Sequence, residues 1–451
     1  MKLRVLIEQP IKREMAGKLT HIINIPEYNI LLKESRQMLN FKSFITEATG
    51  STSLTTLPGV PENLHNFLFH LSGPSDPTHM LNEAAEYYDQ LEEEERKRDV
   101  MDVSQPKFNP DEAAHPSMNL PKTRSMIDKA REDIPAGNVH KRIGQGFQST
   151  FKSMASESPK ESRAKLKESH KVLSDFAKSR GFKSKFPLLG ENMKTEKSSG
   201  EGVLTKGLTL APHTTSGLHG FNSCVKASSE CKAGCLGLTA GGNRQYPDAA
   251  LSSKVIRTHF IAKHPEHAAR LLDNEIGNHV KNAAKKGMKP GVRLNVTSDI
   301  SWEKHAPQLF DRHPHAQFYD YSKLPNRVGH PDLPKNYHLT LSHTGTDHAE
   351  SNDKDAINTL KKGHVVAMVY HRGKKIPHPT HVEDVKTGQR YPIVNGDKDD
   401  NTFDRHESIG RTEGKKGHGV VSGLQLKGIK NEEAGHFANK VDKDGIIRIN
   451  K

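Results

Sequence analysis

All three cysteines of this 451-residue chain, Cys224, Cys231 and Cys235, fall within twelve residues. They stand in the spacing C-x6-C-x3-C inside FNSCVKASSECKAGCLGLTAGGN, the stretch from Phe221 to Asn243. A β-like run, Gly207 to Ala211, precedes it, and a helix-like run, Ala249 to Ala262, follows it. The stretch therefore predicts strand, cysteine loop, helix. An odd, clustered set of thiols is not the framework of a disulfide-stapled secreted domain, and it implies a reducing compartment.

Further strand-like runs continue the pattern at 292–297, 317–321, 337–342, 365–370, 391–394 and 420–426. Helical runs lie between them: 249–286, interrupted at Pro265, and 352–362, stopped by Gly363. Strands alternating with helices make parallel βαβ units. The expected fold class is α/β, an incomplete TIM-type barrel with a doubly wound sheet as the alternative. In both architectures active residues gather beyond the carboxyl ends of the strands. The first strand leads to His213 and the cysteines, and the second to Ser298, Asp299, Trp302 and Glu303. The third holds Asp320 and Tyr321 and leads to Lys323; the sixth leads to Asp397, Asp399, Asp400, Asp404 and Arg405. Any one such polar residue is more often structural than functional. Their recurrence at one predicted edge makes Asp299, Glu303, Asp320 and Lys323 the candidate catalytic residues, with the acids around Asp399 beside them.

Three clustered thiolates favour a soft metal or a cluster. A 4Fe-4S cluster on Cys224, Cys231 and Cys235 would leave one iron open for S-adenosylmethionine or substrate. Cysteines in the loop after the first strand of a partial barrel resemble the arrangement in radical S-adenosylmethionine enzymes, although those use C-x3-C-x2-C. Zinc is the alternative cofactor, with His213 or His219 as a fourth ligand. Free thiols behaving as small apolar side chains are the third. His313-Pro-His315 precedes its strand and has proline between the histidines, so it does not match the H-x-H pair of nicking enzymes. The acidic run 396–401 lacks the turn glycine and terminal Glu of a calcium loop.

The apolar fraction is only 33%, which predicts that part of the chain packs poorly. A net charge of +13 favours polyanionic partners such as nucleic acid, or simply keeps a polar protein soluble. No run of eighteen apolar residues occurs, so no membrane span is expected. Residues 1–98 form an N-terminal region and 99–137, with recurrent prolines, read as a linker. Residues 138–190 read as a basic helical segment that binds nucleic acid or, more simply, docks on the α/β domain, 191–451. The N-terminal part is expected to be largely helical or disordered.

Two resemblances extend this. MLNFKSFITEA, Met38 to Ala48, resembles the capsid-targeting peptides of internal head proteins of large tailed phages, which are cut after such a Glu. It implies a cleavable segment at 38–47 and a place in the prohead or virion. KTEKSSGEGVLTKGLTLAPH, CLGLTAGG, VRLNVTSDISWE, QFYDYSK and YHLTLSH, in that order over 190–450, look like the phage gene product 88-like family. That family implies a phage protein and hints at a cysteine-bound cofactor. The combined expectation is a phage-encoded iron–sulfur enzyme with a radical-enzyme-like barrel, acting on a nucleotide or nucleic acid in the host cytoplasm. A zinc-stabilised nucleic-acid-binding virion protein and a metal-dependent nuclease or replication initiator are the alternatives.

Overall fold

The computed structural model describes residues 116–182, 186–191, 198, 201–240, 242–371, 373, 378–427, 430–431 and 434–450. The region 1–98, with the segment 38–47, lies outside the described residues. The chain divides into two compact units, 1–100 with 280–287 and 101–279 with 288–451. The described residues of the first are the end of one helix; the second carries everything that follows.

Three α-helices come first among the described residues: α1 (Pro121–Asp133), α2 (Val139–Met154) and α3 (Pro159–Ser179). Helix α1 lies inside the stretch that its prolines mark as linker. Pro121 occupies the first turn, where the missing N–H has no intrahelical partner to lose, so it starts the helix rather than breaking it. Helix α3 opens on a capping box between Ser158 and Glu161. The helices dock on the α/β domain. Asp248 accepts the N–H groups of Lys122 and Thr123 at 2.9 and 2.8 Å, which caps α1 from outside. Asp133 pairs with Arg180 and Lys263, each at 2.6 Å. Ile143, Phe147 and Phe151, four residues apart, form the buried stripe of α2, and Phe147 packs on Trp302 with ring centroids 5.4 Å apart.

The ten strands among the described residues are β1 (Leu189–Gly190), β2 (Val203–Leu208), β3 (Lys289–Arg293), β4 (Gln317–Ser322), β5 (Tyr337–Ser342), β6 (Val365–Tyr370), β7 (His381–Asp384), β8 (Arg390–Asn395), β9 (Val420–Gln425) and β10 (Ile446–Ile449). They form one sheet in the order β1-β2-β3-β4-β5-β6-β9-β8-β7-β10. Every pairing from β2 through β8 is parallel; β1–β2 and β8–β7 are antiparallel. The sheet is open, with β1 and β10 at its edges. The expected α/β class stands, in mixed rather than purely parallel form, and the barrel is not closed.

From β2 to β6 the strands lie side by side in chain order. A doubly wound sheet needs a reversal of order, and none occurs over these five strands. The crossovers carry α4 (Ser229–Ala233), α5 (Leu236–Thr239), α6 (Gly242–Gln245), α7 (Pro247–Lys263) and α8 (Pro265–Lys285) before β3. They carry α9 (Trp302–His305) and α10 (Pro307–Arg312) before β4, and α11 (Asp353–Lys361) before β6. Covered strands read as continuous apolar runs, and Val365, Val366, Ala367 and Met368 of β6 are all buried. Gly363, at φ +93°, makes the turn between α11 and β6 where a side chain would be strained.

Candidate active site

Two strands leave the sheet earlier than their apolar runs predict, β2 at Leu208 and β3 at Arg293. The residues that follow build a site instead of a ladder. Thr297 Oγ1 donates to Leu210 O at 2.5 Å, and Ser223 Oγ donates to Ala211 O at 2.7 Å. Asp299 N–H donates to Ser223 O at 2.7 Å. These bonds staple the loop after β3 to the cysteine loop after β2. Gly207 permits the closure, because a Cβ there would collide with Val296.

Between these loops and α7 lies a cavity of about 1050 Å³. Its lining comes from the carboxyl ends of β2 to β5, from α4 to α7 and from the residues after β9. Cys224, Cys231 and Cys235 all line it, and all three are free thiols. Cys224 lies beside the loop backbone: His213 N–H points to its sulfur at 3.4 Å, and the thiol points to Thr297 O at 3.6 Å. His213 holds the left-handed φ of 39°, uncommon outside glycine, at this bend. Cys231 is in α4, with its N–H capped by Ser228 Oγ at 3.1 Å, and Cys235 is the N-cap of α5. Burial pushes the Cys224 thiol well above its usual range and the Cys235 thiol up to about 11. Without an added cation both are neutral thiols near pH 7. Among the described residues no group of three or more His, Cys, Asp or Glu is gathered in a metal-holding arrangement.

The four carboxyl-end residues predicted as catalytic separate into two layers. Asp299 and Lys323 line the cavity; Glu303 and Asp320 do not. Lys323 Nζ donates to Ser342 Oγ at 3.1 Å. Asp299 accepts Lys323 N–H at 2.8 Å and pairs with Arg327 at 2.6 Å. Glu303 holds the same guanidinium with both oxygens at 2.8 Å. Arg327 is fully buried, so this fork is the floor of the site. Asp320, 0% exposed, accepts Leu294 and Asn295 N–H and the Tyr337 hydroxyl at 2.9 to 3.1 Å. Burial raises its carboxyl to about 7, against the opposing pull of Arg293. Beyond it, Arg293 pairs with Asp400 at 2.6 Å, and Arg405 pairs with Asp399 at 2.8 Å. The acids after β8 thus anchor arginines rather than gathering round one point. His313 bonds Asp273 at 3.0 Å, away from the cavity lining.

The motif order across β2 to β5 is therefore the order in which this floor is assembled. A family model described as Gene product 88 matches residues 185–440. The chain belongs to the Gene product 88 family. No curated protein and no solved structure matches it. In this Gene product 88 phage protein the matched residues contain the whole cavity lining from Leu188 to Lys427. No helix among the described residues is long and apolar enough to cross a membrane.

Two cavity residues escape a motif reading. Lys254 of α7 is 5% exposed, and its Nζ donates to Asn243 Oδ1 at 2.6 Å and Ala250 O at 3.0 Å. Arg257, one turn on, donates to the carbonyls of Pro187 and Ser253 at 2.9 and 2.7 Å. Burial lowers the Lys254 ammonium to about 8. An inward lysine in a helix is not marked by spacing or by neighbours in the sequence.

Proposed function

We propose that this cavity is the active site of an iron–sulfur enzyme acting on a nucleotide or nucleic acid, with the cluster held by Cys224, Cys231 and Cys235. The observation that carries the proposal is the convergence of all three cysteines on one cavity, at the carboxyl ends of strands laid down in chain order. Singly wound order is the order of an open, radical-enzyme-like barrel, and function in such sheets lies at that edge. The donor set fits in kind: three soft sulfurs, no disulfide among them, and an open side towards the cavity. Cys224, Cys231 and Cys235 would hold the cluster, and the three thiols would have to come within one coordination sphere to do so. Binding also releases the thiol protons that burial now retains.

A bound cluster supplies one-electron chemistry, with S-adenosylmethionine as the expected co-substrate. The chain itself supplies orientation and charge. Lys323 presents an ammonium group at the cavity wall, while Asp299 fixes the backbone of Lys323 and is itself held by Arg327. Glu303 and Asp320 act from beneath, as positioning residues.

The test is metal and acid-labile sulfide content with a visible spectrum on protein purified without oxygen. Iron and sulfide in cluster ratio, a charge-transfer band near the visible, and loss of both in Cys→Ala variants are expected. Stoichiometric zinc without iron would replace this reading with a zinc-stabilised binding protein. Protein that binds neither metal after reconstitution would remove it.

A further inference from the structure

The cavity holds more positive charge than its surroundings neutralise. Lys254 and Arg257 are three residues apart on α7, so they share one face of that helix, and both line the cavity. Their hydrogen bonds run to an amide oxygen and to backbone carbonyls, all neutral. Among the described residues no carboxylate forms an ion pair with either, and only Arg257, which is half-buried, feels one at longer range, that of Glu275. Lys323, directly after β4, places its Nζ on the Ser342 hydroxyl and the His343 carbonyl and over the Phe437 ring, and no carboxylate among the described residues forms an ion pair with it. A buried cation without a counter-charge is costly, and a fold keeps one where a ligand supplies the anion. The volume, about 1050 Å³, suits a ligand larger than a bare anion.

We propose that Lys254 and Arg257 of α7, with Lys323 directly after β4, bind the phosphate group of a nucleoside 5′-monophosphate or of a ligand of that class inside this cavity. The proposal deepens the functional reading above by naming the charged group of the substrate and the residues that receive it. The chemistry suits the residues: an ammonium group acts as a point charge for phosphate, and a guanidinium offers a fork of donors to its oxygens. The low ammonium value of Lys254 agrees, since an arriving dianion restores the favourable field that burial removed.

The experiment is calorimetric titration of the full chain at pH 7 with each of the four nucleoside 5′-monophosphates, the matching nucleosides, and nucleoside 5′-carboxylates. At least one monophosphate should bind at least tenfold more tightly than both its nucleoside and its carboxylate analogue. Lys254→Met and Arg257→Gln should each weaken it by tenfold or more. A second readout guards against a folding defect: mild acetylation of the wild-type chain near pH 8, mapped by mass spectrometry. The same monophosphate should protect Lys254 and the nucleoside should not. Equal affinity for nucleoside and monophosphate, no monophosphate binding at all, or undiminished binding in Lys254→Met would overturn the proposal. A tighter carboxylate than phosphate would overturn the choice of phosphate. The metal and sulfide content of the same wild-type preparation is read separately from the titration. Cluster failure with phosphate binding intact would thus strike only the iron–sulfur reading.

Discussion

Two pairs of cationic side chains at the cavity, one at its floor and one on its wall, are neutralised in opposite ways. Arg327 and Arg293 sit at the floor, each 2% exposed or less, and each meets carboxylates: Asp299 and Glu303 for the first, Asp400 at 2.6 Å for the second. Lys254 and Arg257 stand on the α7 wall, and their hydrogen bonds go to neutral oxygens, with the Arg257 guanidinium also over the Phe186 ring. The floor groups link β3, β4 and the loops beyond β8, and their charge is spent on holding those elements in register. The wall groups hold nothing that a neutral side chain could not hold. A buried charge matched by carboxylates is architecture, and a buried charge left unmatched is a receptor for something absent from the chain itself.

The largest effect should come from the floor. Arg327→Met removes the cation between Asp299 and Glu303 and leaves two buried carboxylates facing each other. Breaking one partner out of a buried ion pair costs about 3–5 kcal/mol. Urea unfolding should show a loss of that size near pH 7, with partial recovery in acid as the carboxylates take up protons. A loss under about 1 kcal/mol would mean that Arg327 is no architectural residue, and the division between floor and wall would fail.

The wall should behave in the opposite sense. Lys254→Met exchanges an unmatched buried charge for an apolar side chain of similar length, and it should raise stability while abolishing phosphate binding. The sign follows from proton linkage. The unfolded amine titrates near 10.5 and the folded one at about 8, so between these values the unfolded state binds more protons. Wild-type stability therefore rises with pH from about 8 to 10.5, and the full penalty is present below 8. A shift of that size corresponds to about 3 kcal/mol at most, and the lost hydrogen bonds to Asn243 and Ala250 reduce the gain to about 1–2 kcal/mol. The difference between the two proteins should shrink above pH 8. A destabilised variant with no such pH dependence would turn Lys254 into another architectural residue.

The same division explains how much was legible in the sequence. Strands β4, β5 and β6 match their apolar runs, and the break at Pro265 and the stop at Gly363 fall as the spacing predicts. The run 292–297 was legible as a strand but not as a strand end. Asn295 accepts the Ser298 hydroxyl and Ile300 N–H at 2.8 and 2.9 Å, folding the polar half of the motif back on itself. Arg327 carried no signal, since it lies in a loop more than twenty residues from Asp299 and Glu303. Lys254 was hidden for a different reason. Helix α7 is buried nearly all round, from Leu251 through Ala262, so it has no polar face against which an inward lysine stands out. Strands β1 and β10, two and four residues long, are too short for a period of two to show.

The smallest effect tests which side of the division Lys323 belongs to. Its ammonium donates to Ser342 Oγ at 3.1 Å, at the carboxyl end of β5, while its backbone N–H is held by Asp299. Ser342→Ala removes one part-buried hydroxyl acceptor and leaves that backbone bond intact. The loss in stability should be about 1 kcal/mol or less, the net worth of such a bond. If Lys323 belongs to the wall, freeing its Nζ should leave the affinity for the monophosphate within about threefold, because the ligand oxygens then replace the hydroxyl. A loss in stability as large as that of Arg327→Met would instead place Lys323 with the floor. The phosphate would then be received by α7 alone.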